Sequence, residues 1–214
     1  MKIGETEMGM SKELYQNAKK PQGSGGKFVI NRMNERHRHL AKWGFSNLDI
    51  KENDRVLDIG CGGGANLAII LQKADKGTAV GVDYAEVSVE IARKKNKKAV
   101  ETGRCEVLQG NVMELPLKDE DFDVITAFET VYFWPDMKES LKEVYRVLKR
   151  NGKFMICNEA DGNSENDEKM KEIIEGMSIY TEDELVKFLK EAGFKNIRTY
   201  NEKEKHWISC ICEK

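Results

Sequence analysis

The sequence predicts a doubly wound α/β domain with an antiparallel edge, and three observations carry that prediction. From Asp54 onwards strand-like and helix-like runs alternate, the pattern of a parallel sheet with crossover helices. A glycine-rich turn, Gly60-Cys61-Gly62-Gly63-Gly64, joins the first strand to the first helix of that series. The chain then closes with two strand candidates separated by a short charged turn, so one of the pair must run against the parallel strands.

Each element has a local reason. Residues 56–59 form an apolar run of strand length, and residues 65–73 read as the helix after the glycines. "TAVGVDY" is a second strand, followed by the helix "AEVSVEIARKKNKKAV", whose lysines complement the dipole at its C-terminal end. "CEVLQG" and "FDVITAF" are the third and fourth strands. The helix "DMKESLKEVYRVLKR" is expected to stop at Asn151-Gly152, with "GKFMICN" as a fifth strand. "DGNSENDEKMKEIIEGM" is polar and helix-prone, and reads as an insertion over the sheet edge. "TEDELVKFLKEAGF" carries a capping box, Thr181 with Glu184, and a stop at Gly193. "KNIRTYN" and "KHWISCICE" make the final hairpin. Ahead of the alternating region, "KKPQGSGGKF" is loop-like, and residues 31–43 predict one helix ending near Gly44.

Composition narrows the function. The 214 residues carry a formal charge of −2, so nothing draws the whole chain towards nucleic acid or anionic membrane. No apolar run approaches the roughly 20 residues that span a bilayer, and "MKIGETEMGM" lacks the apolar core of a signal peptide. Five cysteines, single apart from Cys210 and Cys212, show no metal-ligand spacing. Reduced thiols, a cytoplasmic location and no metal are therefore expected.

The glycine turn alone also satisfies the fingerprint of dinucleotide binding, which keeps an NAD(P)-dependent oxidoreductase open as an alternative. Its surroundings point elsewhere. Asp58 sits two residues before the first glycine, at the strand end that faces the ligand crevice. A carboxylate there suits a cationic group, such as an amino acid's ammonium, better than a pyrophosphate. Its other reading is a bond to the backbone N–H groups of the turn. Asp83, about 20 residues past the glycines, stands where a ribose diol is gripped. Tyr84 suits either an adenine face or ordinary packing. In "QGNVMELPL", Asn111 and the N–H of Val112 suit an adenine edge, and Asn111 also reads as a turn residue.

Together, "VLDIGCGGG", "GVDYAEVSVEIARKK", "GNVMELPL" and "FDVITAFETVYFWPD" resemble the successive motifs of class I S-adenosylmethionine-dependent methyltransferases. The ending from Thr181 is similar to that family's last helix and hairpin, and the resemblance spans roughly Asp54 to Lys214 without residues 163–177. It implies a three-layer fold with a seven-stranded, mostly parallel sheet of order 3-2-1-4-5-7-6, strand 7 antiparallel. It implies S-adenosylmethionine as cofactor and S-adenosylhomocysteine as product. Asp58, Gly60, Cys61, Gly62 and Gly64 would cradle the methionine part, Asp83 the ribose, Tyr84, Asn111 and Val112 the adenine end. Phe128 and Glu129 would border the methyl group. Asn111 departs from the aspartate that many members carry.

On this reading residues 1–50 are a helical cap that completes the substrate site, and residues 51–214 are the methyltransferase domain, with a lid insertion at 159–180. His37 shares the apolar stripe of its helix with Met33, Leu40 and Ala41, whereas His39 lies with Arg36 and Trp43 on another face. His37, as base or orienting group, and Glu129 are the catalytic candidates. Amino-directed nucleic-acid methyltransferases carry [DN]-P-P-[YF] after strand four, where this chain reads Glu129-Thr130-Val131-Tyr132. The lysine cluster at 94–98 reads as solvated charge. A small-molecule acceptor is expected, with no nucleic-acid or membrane partner. A non-catalytic cofactor-binding module is the other alternative.

Overall fold

β1 (Arg55–Ile59) is paired on both sides by parallel strands, β2 (Thr78–Asp83) and β4 (Phe122–Phe128). Outside these lie β3 (Cys105–Gln109) and β5 (Leu148–Asn158), and then β7 (Trp207–Glu213) and β6 (Lys195–Glu202) at the far edge. The computed structural model describes residues 23–214, and the sheet order is β3-β2-β1-β4-β5-β7-β6. β7 is antiparallel to both β5 and β6, as the terminal hairpin requires. The strand order reverses between β1 and β4, which opens a crevice beyond their C-terminal ends.

Successive strand residues face opposite layers. Leu57 and Ile59 pack with α6 (Met137–Val147) and α8 (Glu182–Glu191), in a core that includes Leu141, Val144, Leu185 and Leu189. Val56 packs into the opposite layer with α2 (Arg38–Asn47), α3 (Ala65–Lys73) and α4 (Glu86–Lys95), through Leu40, Phe45, Leu67 and Val89. Asp58, between Leu57 and Ile59, projects into this second layer. All five cysteines are free and buried.

The expected helix over residues 31–43 is two helices. α1 (Gly23–Arg36) meets α2 at His37, where φ is −78° and ψ is 2°. The bend keeps its hydrogen bonds, His37 N to Met33 O at 2.9 Å and Ala41 N to His37 O at 2.8 Å. Residues 23–28 of the loop-like stretch are helical, and residues 19–22 lie outside the described part. Gly44 does not stop α2, which continues to Asn47. A Cβ at Gly44 would lie 2.7 Å from Cys157 Sγ and 2.8 Å from a Phe128 ring carbon, so this glycine lets α2 close onto the sheet.

Two further boundaries moved. α6 ends at Val147, and β5 begins at Leu148, so Asn151 (φ +62°) and Gly152 form a kink inside the strand. The long helix after β2 divides at the buried Asn96, whose amide donates to Gly64 O and Ala92 O; α5 (Lys97–Glu101) follows. The polar insertion forms α7 (Glu165–Ile173), started by a capping box between Ser164 and Asp167. It lies on the loop after β4: Met170 and Met177 pack on Tyr132, Ala160 and Ile179, and Ser178 N donates to Tyr132 O.

Candidate active site

The glycine turn is drawn against β2 by two bonds, from Gly60 N and Cys61 N to Val82 O. Gly60 (φ +71°), Gly62 (φ +50°) and Gly64 (φ +72°) all adopt the left-handed conformation, for different reasons. A Cβ on Gly60 would collide with the Thr130 side chain, and one on Gly64 with Ala92 of α4 and with Asn96 just beyond it. A Cβ on Gly62 would meet nothing within 4 Å. Gly62 therefore faces open space, while Gly64 turns away from the cavity that Gly60, Cys61, Gly62 and Gly63 line.

The bond to the turn that was weighed for Asp58 is made by Asp83. Asp83 holds the turn: Oδ2 accepts from Gly62 N and Oδ1 from Ala85 N, each at 2.9 Å. Burial raises its pKa, against those bonds and one from Ser88. Asp58 binds no backbone N–H of the turn among the described residues. It is 1% exposed, its Oδ1 accepts from Thr126 Oγ1 at 2.7 Å, and its Oδ2 has no hydrogen-bond partner among the described residues. Burial, with the nearby charge of Asp83, pushes it up to about 7 in spite of Thr126. A buried, half-satisfied carboxylate under a glycine turn fits a ligand that brings an ammonium group. Asp58 stands behind the cavity wall rather than in it.

Two lobes open from this wall and share Gly60, Asp83, Tyr84, Thr130 and Phe133. The outer lobe, about 510 Å³, is bounded by Gln109, Asn111, Val112, Trp134 and Pro135. Tyr84, 39% exposed, is an aromatic side chain in the wall of this lobe. Asn111 Oδ1 accepts from Met113 N at 3.0 Å, so Asn111 also shapes its own turn and keeps its NH2 group for a ligand. The inner lobe runs from the glycine turn to Phe128, Glu129, Ile30, Met33 and His37. α3 begins at Gly64 with no side-chain cap among the described residues, which suits an anionic group at its N-terminus.

At the inner end an ion cluster draws on three parts of the chain. Glu129 has a φ of +56°, a strained conformation for a non-glycine residue. Its Oε1 accepts from Tyr132 OH at 3.1 Å and from the N–H of Glu159, and its Oε2 lies 3.7 Å from His37 Nε2. Glu159 Oε1 lies 3.5 Å from His37 Nε2 and 3.1 Å from Arg36 Nη2. Burial and the charge of Glu159 push Glu129 up to about 7, with His37 opposing. Burial pulls His37 down, but Glu159 and Glu129 outweigh it and raise its pKa. Glu159 is lowered because His37 and Arg36 overcome its burial.

His37 is therefore better suited to orient and to carry positive charge than to serve as a free base. The bend at His37 also brings Arg36 onto the same carboxylate, where an unbroken helix put it on another face. Glu159 was not among the sequence candidates; it lies just past β5, at the start of a segment that read as a polar lid. His37, Glu129 and Glu159 place donor atoms within 4.8 Å of one another, a set that can also ligate a cation. Arg36 and His37 already occupy these carboxyl oxygens, so we read the set as an ion-paired unit.

A stability prediction follows from Asp58 and Glu129. Both hold a proton in the folded protein to about pH 7, well above the usual carboxylate range. Between about pH 4 and 7 the native state thus binds more protons than the unfolded chain, so stability falls as pH rises. His37, raised as well, acts in the same direction as pH passes its folded value. Denaturant unfolding without ligand is expected to give a stability lower by about 1–3 kcal/mol at pH 8 than at pH 5. Asp58→Asn combined with Glu129→Gln should flatten that slope; an unchanged slope would place the titration elsewhere.

A family model described as a methyltransferase domain matches residues 50–202. The chain is 29% identical to the protein YrhH of Bacillus subtilis (strain 168) over 77% of this chain and 79% of that protein. It is 31% identical to the 27-O-demethylrifamycin SV methyltransferase of Amycolatopsis mediterranei (strain S699) over 69% of this chain, and spans 56% of that enzyme. Among solved structures, a SAM-dependent methyltransferase from Aquifex aeolicus superposes with a TM-score of 0.71 at 22% identity, over 86% of this chain and 95% of that one.

Proposed function

The chain belongs to the methyltransferase-domain family, among the class I S-adenosylmethionine-dependent enzymes, and from that membership we propose that it methylates a small-molecule acceptor held beneath its N-terminal helices. The observation that carries the acceptor site is the inner lobe. It continues past the glycine turn into a chamber whose wall combines Ile30, Met33, Ala41, Phe128 and Phe133 with Glu129, His37 and Arg38. A chamber of that character suits a compact, largely apolar molecule with one polar group to be modified. The rifamycin relative, named for an O-demethylated small molecule, supports this class of acceptor.

S-Adenosylmethionine supplies, when bound, a methyl group on a sulfonium, which leaves as a neutral thioether. The residues that would hold it are Asp58 behind the turn, Gly60, Cys61 and Gly62 along it, Asp83, and Tyr84, Asn111 and Val112 in the outer lobe. Phe128 and Thr130 wall the inner lobe and keep water from the reacting atoms. Glu129 takes the proton of an acceptor hydroxyl or amine as the acceptor's lone pair forms its new bond to carbon. A carboxyl that titrates near 7 is matched to that task at neutral pH. His37 orients the carboxylate before it takes that proton, and Tyr132 OH fixes its other oxygen. The cap, residues 23–50 of the described chain, lends Ile30, Met33, His37, Arg38 and Ala41 to this chamber, and the segment 159–180 packs behind it on Tyr132 and Phe133; we read the cap as the part that selects the acceptor.

Calorimetry with S-adenosylhomocysteine and with NAD(P)H tests the cofactor assignment. Saturation by S-adenosylhomocysteine is expected, and saturation by the pyridine dinucleotide alone would overturn it. Methyl transfer across a panel of phenols, quinols and amines then tests the acceptor class. Binding to RNA or DNA is expected to stay weak at moderate salt, since the chain carries a formal charge of −2 and Lys97 of its lysine cluster is paired with Glu101. Tight, steeply salt-dependent binding would move the acceptor to nucleic acid.

A further inference from the structure

Glu159 belongs to none of the sequence motifs that point to the pocket, yet three members of the ion cluster meet on it. Its side chain contacts Arg36, the last residue of α1, and His37, where α1 gives way to α2. Its backbone N–H donates to Glu129 Oε1. The residue stands immediately after β5, so it joins the elbow of the helical cap to a rigid strand end. Among the described residues, α1 buries Val29 and Ile30 and leaves Phe28 53% exposed.

Building on the function proposed above, we propose that Glu159 is the positioning residue that fastens the helical cap over the methyl-transfer chamber. Its side chain grips Arg36 and His37, and its main chain holds Glu129. The elbow keeps its backbone hydrogen bonds, so it is a bend whose angle a side-chain anchor sets. The groups that face His37 are Arg36 from α1, Glu129 from the β4 loop and Glu159 from the β5 end. Tyr132 acts on it through Glu129, and Arg38 lines the same cavity. Substitution at Glu159 removes the grip on the cap and a charge beside Glu129, while every replacement other than proline retains the N–H that Glu129 accepts.

The test uses the full-length protein with three readouts that need no acceptor: amide hydrogen exchange, NMR titration of the His37 ring, and calorimetry with S-adenosylhomocysteine. Glu159→Gln is expected to speed exchange across residues 29–41 about tenfold or more, with the sheet still protected. It should move the His37 titration downward, since a carboxylate that raised it is gone, and leave S-adenosylhomocysteine affinity within about threefold. Arg36→Gln should also loosen residues 29–41 but move the His37 titration upward, because the guanidinium depresses it. General loss of packing would not give shifts of opposite sign. Unchanged exchange at 29–41 and an unmoved His37 in Glu159→Gln would overturn the proposal. Should Glu159→Gln lose protection throughout the sheet, Arg36→Gln decides, and unchanged exchange there overturns it. A stoichiometric divalent ion lost on His37→Ala would also overturn it, by giving the cluster a different purpose. Failure of the wild-type protein to bind S-adenosylhomocysteine would instead sink the functional reading on which the proposal rests.

Discussion

Glu129→Gln is expected to slow methyl transfer by about 10²- to 10⁴-fold while leaving S-adenosylhomocysteine affinity within a few-fold. The substitution is nearly isosteric. The amide oxygen can still accept from Tyr132 OH and from the N–H of Glu159, so the loop after β4 keeps its shape. What is lost is the ability to take a proton at the atom that faces His37 and the chamber. The pH profile separates this from a packing defect. With Glu129 held up to about 7 by burial and by Glu159, the wild-type rate should climb with pH and level off above that value. In Glu129→Gln the same limb should be missing. A variant with a parallel profile and a small loss in kcat would remove Glu129 from the chemistry. The S-adenosylhomocysteine titration guards against a collapsed cofactor site.

Gly60→Ala is expected to abolish detectable S-adenosylhomocysteine binding and to lower the Tm by roughly 6–12 °C. The residue holds φ at +71°, which costs an L-residue of order 1–3 kcal/mol. Its added methyl would also run into the side chain of Thr130, which belongs to the wall shared by both lobes. Either the turn leaves its bonds to Val82 O or the β4 loop moves, and each distorts the wall proposed to hold the cofactor. Gly62→Ala is the informative contrast. Its Cβ would meet nothing within 4 Å, so the fold should lose only the backbone strain, about 1–2 kcal/mol. The methyl would still project into the cavity, and affinity should drop with little change in Tm. Equal losses of stability in the two variants would show that the collision at Thr130 is not what makes Gly60 necessary.

The alternation of strand and helix was legible because burial imposes a period on each element: apolar runs for strands covered on both faces, and stripes for helices. The sheet order rested on the family resemblance, and the observed order is the same. The boundaries that moved are those where local signals competed with packing. Asn151-Gly152 resembles a helix stop, but it is a kink inside β5. Gly44 looks like a helix terminus, but it is the small residue that lets α2 approach Cys157 and Phe128. The bend at His37 carries no proline or glycine to announce it, and it changes which side chains share a face.

What the sequence by itself determined is the local frame of the proposed cofactor site: a glycine turn after a buried strand, with Asp58 and Asp83 at fixed distances along the chain. Residues close in sequence and bound to one strand–turn–helix unit cannot stray far from one another, whatever the rest of the fold does. Only the tertiary structure decided which aspartate braces the turn and which is left half-satisfied beneath it, since that depends on β2 and β4 lying on either side of β1. It also decided the union of Arg36, His37, Glu129 and Glu159, whose members are separated by up to 123 positions (159 − 36). Their charges acquire shifted titrations because burial removes the water that would screen them, and burial belongs to the assembled layers rather than to any segment of the chain.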